Sequence, residues 1–121
     1  MKKTILVIDD SPFVVNQIKE ITAHTEYEVI GHAKTGEAGI EIFKELHPDI
    51  ITLDIIMPGI DGMETAKEIL NLDADANILM LSSLCDNGTL EEVKSIGLKY
   101  LLPKPIEAGL LLATFELLTK R

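Results

Sequence analysis

The sequence predicts an α/β domain built on a parallel sheet, with five strands alternating with five helices. Three observations carry that prediction. Short apolar, β-branched runs recur along the chain, stretches with helical spacing separate them, and breakers mark the joins, as in LVIDDSPFVV (6–15) and LDIIMPGIDG (53–62). Strand–helix–strand alternation requires crossover connections, which are right-handed and leave neighbouring strands parallel.

The first strand is 4–8, TILVI, whose continuous apolar run suits a sheet covered on both faces. Ser11 then reads as an N-cap and Pro12 as the first helical residue, because proline's fixed φ and missing N–H suit that position. They open a helix over 12–25, and 27–33 (YEVIGHA) follows as the second strand. Thr35-Gly36 opens a helix over 36–46, in which Ala38, Ile42, Phe43 and Leu46 keep helical spacing until Pro48 stops it. The third strand is 50–53 (IITL), followed by a helix over 62–72, and the fourth is 77–81 (NILML). A helix over 87–96 ends at Gly97, a natural C-cap. The fifth strand is 99–102 (KYLL), and 106–120 forms the last helix. Pro103 has no ladder N–H to give, so this last strand belongs at a sheet edge.

Composition narrows the function classes. A chain of 121 residues, 46% apolar, can bury a core without staples, and residues 1–121 read as one domain with no effector domain attached. No apolar run approaches membrane-spanning length, and MKKTILVIDD reads as a strand running into two acids rather than a signal peptide. The single Cys85 has no internal disulfide partner and no resolving cysteine, which predicts a cytoplasmic protein and no redox role. Twenty acids against 11 bases give a net charge of −9, which excludes nonspecific nucleic-acid binding and favours cations or basic protein surfaces.

In open parallel sheets, ligands bind beyond the carboxyl ends of the strands. Those positions carry Asp9-Asp10 after the first strand, Asp54 after the third, Ser82-Ser83 after the fourth and Lys104 after the fifth. Two carboxylates about 5 Å apart repel by roughly 3 kcal/mol at an effective dielectric near 20, so Asp9, Asp10 and Asp54 together call for a cation. Hard carboxylate oxygens suit Mg²⁺ or Mn²⁺, and no His or Cys stands beside them in sequence to indicate zinc. Asp54 ends a largely apolar strand and is placed to act as a nucleophile on phosphorus. Lys104, between two prolines, can pair with Asp54 at rest and with phosphoryl oxygens afterwards, and the Ser82 hydroxyl can donate to such an oxygen.

With VIDDS, LDIIMPGIDG, LSS and PKP in that order, the chain resembles a two-component response-regulator receiver domain along its whole length. The resemblance implies the flavodoxin-like doubly wound (βα)5 fold with strand order 2-1-3-4-5, known from a chemotaxis member of the family. It implies that Asp54 accepts a phosphoryl group from a sensor histidine kinase, a phosphotransfer protein or a small acyl phosphate. It further implies Mg²⁺ held by Asp10, Asp54 and the backbone carbonyl of Ile56, with Asp9 acting through water. Ser82 and Lys104 would grip the phosphoryl oxygens, and the Lys104–Pro105 peptide would be cis. Three positions depart from the family. An aromatic commonly stands three residues before the lysine, where this chain has Leu101, with Tyr100 one residue earlier. Ile56 and Leu84, two residues past Asp54 and Ser82, cannot orient a hydrolytic water, which implies slow self-dephosphorylation.

Output is expected through contact with a downstream protein target. The last helix contains GLLLATFELL, and three consecutive leucines cannot all face one core. Some of Leu110, Leu111 and Leu112 should be partly exposed, either as a docking or self-association surface or as a stray leucine in ordinary packing. Met57 and Met63 read as packing residues. Two other activities share parts of the pattern. A haloacid-dehalogenase-type phosphohydrolase needs a second aspartate two residues after the nucleophile, where this chain has Ile56. A flavin binder would want a Ser/Thr/Gly-rich phosphate loop where Asp9-Asp10 stands. An interaction module that keeps the fold without being phosphorylated stays open.

Overall fold

The computed structural model describes residues 2–84 and 86–120, so the reading of Cys85 lies outside the described residues. Strands and helices alternate as β1 (Lys3–Ile8), α1 (Pro12–Thr22), β2 (Tyr27–Ala33), α2 (Gly36–Leu46) and β3 (Ile50–Asp54). They continue as α3 (Gly62–Leu72), β4 (Ile78–Ser82), α4 (Asn87–Ser95), β5 (Leu101–Pro103) and α5 (Ala108–Thr119). All pairings are parallel and the order is β2-β1-β3-β4-β5, the order implied by the resemblance. β5 lies at an edge, where Pro103 costs no ladder bond. Among the described residues, no helix is long and apolar enough to cross a membrane.

Helix starts follow local chemistry. The Ser11, Thr35, Asp61 and Asp86 side chains each accept a bond from the backbone N–H three residues on, satisfying a donor that has no intrahelical partner. Several ends differ from the sequence expectation, most by one residue and the following by more. α1 stops at Thr22 rather than 25, because the Ala23 N–H closes onto the Lys19 and Glu20 carbonyls and His24 turns the chain with φ 64°. β5 is only Leu101–Pro103, and Tyr100 lies just outside it. α5 begins at Ala108, not 106, since the Glu107 carboxylate caps the N–H groups of Gly109 and Leu110 at 2.9 and 2.8 Å.

Side chains alternate across the sheet with the period of two that a strand imposes. Leu6 and Ile8, Ile51 and Leu53, and Ile78 and Met80 form one core with Phe43, Ala66, Ile69 and Val93 of α2, α3 and α4. Ile5 and Val7, Ile50, and Leu79 and Leu81 form the other, with Ile18 of α1 and Leu111 and Phe115 of α5. Met57 and Met63 are buried in the first core, as packing residues. Leu101 packs against that core as well, whereas Tyr100 and Leu102 pack against the second. In α5, Leu111 is fully buried, Leu112 is half-buried and Leu110 is exposed, so the three leucines do divide between core and surface.

One core position is chemically mismatched. Thr52 shares the row of Ile50 and Asp54, is fully buried, and its Oγ1 has no hydrogen-bond partner among the described residues. Valine has the same shape without the unsatisfied hydroxyl. Thr52→Val should therefore raise the unfolding free energy by about 1 kcal/mol, seen as a higher Tm by circular dichroism; a lower Tm would mean that the hydroxyl is satisfied in solution.

Candidate functional site

The ladder continues past the last assigned strand residues and fixes the loops that follow. The Asp9 N–H donates to the Ala33 carbonyl at 2.9 Å, the Ile55 N–H to Leu81 at 3.1 Å and the Lys104 N–H to Ser82 at 3.0 Å. Asp9, Asp54 and Lys104 extend the rows of Val7, Thr52 and Leu102, and their side chains meet on the α1/α5 side of the sheet edge. Ser82 extends the opposite row, that of Ile78 and Met80. Gly62 lets α3 start directly behind β3. Its N–H donates to the Ile55 carbonyl at 2.7 Å, and a Cβ there would lie 2.6 Å from Ile55 Cα and collide with the Asp54 carbonyl.

The resulting cluster is buried and unevenly charged. Asp9 is 2% exposed and Asp54 6%, whereas Asp10 faces solvent. One carboxylate oxygen from each of Asp9, Asp10 and Asp54 lies within 4.8 Å of the others. The Lys104 ammonium sits 2.8 Å from Asp9 Oδ2 and 3.3 Å from Asp54 Oδ2. Its shorter contact is with Asp9, not with the Asp54 partner expected from sequence, and that contact supplies an otherwise unpartnered buried oxygen. Asp9 Oδ1 is also engaged, accepting from the Ser11 N–H at 2.9 Å. Among the described residues, Asp54 Oδ1 has only a long contact with the Ile56 N–H, 3.4 Å. Ser82 is buried, and its Oγ accepts from the Leu84 N–H at 2.9 Å. The Lys104–Pro105 peptide is cis.

Burial, followed by repulsion from Asp9, raises the Asp54 carboxyl above its ordinary pKa, and Lys104 only partly offsets this. For Lys104, burial alone would lower the ammonium, but the Asp9 and Asp54 carboxylates outweigh it and hold it above its ordinary value. Lys104 thus meets two of three clustered carboxylates, and the remaining negative charge, carried on hard oxygens, suits a divalent cation such as Mg²⁺ or Mn²⁺.

Comparison with known proteins assigns the scaffold. The family model described as response regulator receiver domain matches residues 5–116. The chain belongs to the response regulator receiver family. This receiver is 36% identical to the chemotaxis protein CheY of Thermotoga maritima over 107 residues, which span 88% of this chain and 89% of that one. It is also 36% identical to CheY of Bacillus subtilis over 108 residues, 89% of this chain and 90% of that one. Among solved structures, the CheX–CheY–BeF3–Mg²⁺ complex from Borrelia burgdorferi superposes with a TM-score of 0.92 and 28% identity, over 98% of this chain and 90% of that one. The response regulator domain of Thermotoga maritima CheB gives a TM-score of 0.87 at 32% identity, over 97% and 96% of the two chains. The receiver is thus a CheY-like signalling domain of the two-component type.

Two features of the receiver's site region escape sequence reading. Glu37, in the first turn of α2, accepts from the Ile60 N–H at 3.3 Å and tethers the β3–α3 loop. Its only sequence signal is an acid in a first helical turn, which reads as ordinary helix-dipole compensation. Phe13, in the first turn of α1, is 71% exposed. It directly precedes the buried Val14-Val15 pair, so adjacency disguises it as core.

The raised Asp54 pKa fixes a pH dependence. A carboxyl that holds its proton more tightly when folded contributes stability below its unfolded pKa and loses it as pH rises through the folded pKa. At neutral pH the ionised Asp54 therefore costs stability. Asp54→Asn should raise the Tm at pH 7 in metal-free buffer, with Lys104 still held by Asp9, and the gain should fade as pH falls through the raised folded pKa and vanish near the ordinary carboxylate value of about 4. Thermal melts of both proteins from pH 4 to 8 check this; a gain that grows towards acid pH would reverse the assignment.

Proposed function

We propose that this receiver is a phosphorylation switch in which Asp54 takes a phosphoryl group from a histidine kinase, a phosphotransfer protein or a small acyl phosphate. The observation that carries the reading is the division of labour around Lys104. Asp9 holds the ammonium at 2.8 Å, so Asp54, with only longer contacts, is free to react without releasing the cation. An Asp54 oxygen attacks phosphorus from behind the bond to the donor. The new O–P bond forms as the P–N bond of a phosphohistidine, or the P–O bond of an acyl phosphate, breaks. The leaving imidazole or carboxylate departs with the electron pair. Lys104 exchanges its Asp54 contact for a phosphoryl oxygen, and the Ser82 hydroxyl donates to a second one.

Asp10, Asp54 and the Ile56 carbonyl would hold Mg²⁺ or Mn²⁺ directly, with Asp9 acting through water. The bound ion would supply neutralising charge to the carboxylates and the transferring phosphoryl group. The similar Borrelia burgdorferi complex is one with BeF3 and Mg²⁺, which supports this reading, as does the trio of converging carboxylates. We read the chain as one receiver unit, acting in the cytoplasm and signalling through a downstream protein. CheX in the same complex supports a protein-contact output, as do the exposed Leu110 and Leu117 of α5.

Incubation with Mg²⁺ and acetyl phosphate should add one phosphoryl mass to the wild type and none to Asp54→Ala. A wild type that stays unmodified and does not respond to beryllofluoride would instead identify a non-phosphorylated interaction module. Mg²⁺ at about a hundred times its Kd should stabilise the wild type by roughly 2.7 kcal/mol. Asp10→Asn, which keeps Asp54, should lose most of that gain in thermal melts.

The phospho-form should be long-lived. Ile56 and Leu84 are 60% and 55% exposed, and neither side chain offers an atom that could orient an attacking water. Replacing both with polar side chains, Ile56→Asn with Leu84→Glu, should speed loss of the phosphoryl group by about tenfold or more, or ~1.4 kcal/mol of barrier. Decay followed by intact-protein mass spectrometry tests this, and equal decay rates would remove the apolar pair from the explanation.

A further inference from the structure

The segment that carries Lys104 is short of backbone ties. It reads PKPI over 103–106, and its two prolines have no N–H to donate. The Lys104 N–H is bonded to the Ser82 carbonyl at 3.0 Å, which fixes the strand side of the lysine. On the far side, Nε2 of Gln17 in α1 donates to the Ile106 carbonyl at 3.2 Å, joining residues 89 positions apart.

Gln17 stands where helical spacing calls for an apolar residue. Val14 and Ile21, three residues before it and four after it, share its face of α1. Both pack in the core on that side of the sheet, with Ile18 and Ile106. A half-buried amide in that stripe gives up apolar burial, and what the position gains instead is the hydrogen bond to Ile106. The same helix anchors the acid end of the site. Ser11 caps it, and the Ser11 N–H holds Asp9 Oδ1 at 2.9 Å, while Asp9 Oδ2 holds the Lys104 ammonium at 2.8 Å. The β1–α1 unit and the β5–α5 loop are therefore joined through the Lys104 side chain and again, two residues on, through the Ile106 backbone.

The second link controls the first. A lysine reaches its partner on a flexible four-carbon stem, so its ammonium is placed no better than the backbone that carries it. We propose that Gln17 is a positioning residue for Lys104: by holding the Ile106 carbonyl to α1, it keeps the ammonium between Asp9 and Asp54, where a phosphoryl oxygen is to be met. Without this tie the loop is free to draw the ammonium away, and Asp9 Oδ2, a buried oxygen with no hydrogen-bond partner of its own among the described residues, loses its counter-charge. The effect on phosphoryl transfer rests on the phosphorylation reading above, whereas the hold on Lys104 does not.

The test uses Gln17→Met, which keeps the side-chain length, removes the donor and suits the apolar stripe, so the fold should hold, as an unchanged or higher Tm verifies. The full chain, metal-free and unmodified, is treated with an amine-reactive ester, and each lysine is followed by peptide mass spectrometry. In the wild type Lys104 is shielded, because it is half-buried and two carboxylates engage its ammonium. In Gln17→Met it should react about fivefold faster, the worth of one net hydrogen bond, with the other lysines unchanged. Acetyl-phosphate labelling of Asp54 in Mg²⁺ should slow about tenfold in the same variant. Asn16→Met, at the neighbouring exposed position of α1, should leave both rates at the wild-type level. Unchanged Lys104 reactivity, a rise shared by all lysines, or a freed Lys104 with no change in Asp54 labelling overturns the proposal. A wild type that takes up no phosphoryl group sinks the phosphorylation reading alone, because the lysine readout still decides what Gln17 holds.

Discussion

The Lys104 ammonium, shared between Asp9 at 2.8 Å and Asp54 at 3.3 Å, is the contact around which this receiver's site is arranged. Two nearly buried carboxylates this close would repel strongly, and one cation bridging them makes the arrangement tenable. A buried ion pair of this kind contributes little net stability, since desolvation cancels much of the attraction. What it fixes is position. Asp9 is fully occupied by Ser11 and Lys104, while Asp54 is left with long contacts and a raised pKa. Asp54 is thus the less satisfied of the two carboxylates.

That contact is possible because of sheet geometry rather than loop flexibility. Hydrogen bonds beyond the strand ends tie Asp9 to Ala33, Ile55 to Leu81 and Lys104 to Ser82. Each side chain inherits the facing of its strand, so the lysine and its two acids arrive on one side of the sheet and Ser82 on the other. A group bound between them would be approached from two faces. Gly62 contributes by letting α3 begin against the end of β3, where any side chain would push the Asp54 carbonyl away.

The surface around this centre is of mixed character. Ile56 and Leu84 expose apolar side chains just past Asp54 and Ser82, while Met57, between Ile56 and Pro58, turns inward to the core. On the α1 side, Phe13 stands exposed in the first turn of the helix, and Lys19 and Lys34 border a small cavity beside Asp9. A chain that is acidic overall therefore has a local apolar and basic border next to its carboxylates. Such sign reversals govern which partners can approach, because like charge repels and a focused opposite charge steers.

The sequence by itself determined the order and type of every element, since strand runs, caps and breakers are local signals read within a few residues. It also placed Asp9, Asp54, Ser82 and Lys104 at the strand ends, because an apolar run that stops at a polar residue marks its own edge. Only the tertiary structure decided that Lys104 leans to Asp9, that Glu37 tethers the Ile60 loop, and that Lys19 and Lys34 share a cavity. It alone put Leu101 and Tyr100 on opposite faces, and ended α1 at Thr22 through the turn at His24. The reason is physical. Periodicity and propensity act along the chain, whereas ion pairs and cavities depend on distances of a few ångströms between residues far apart in sequence, and these exist only once the sheet has closed.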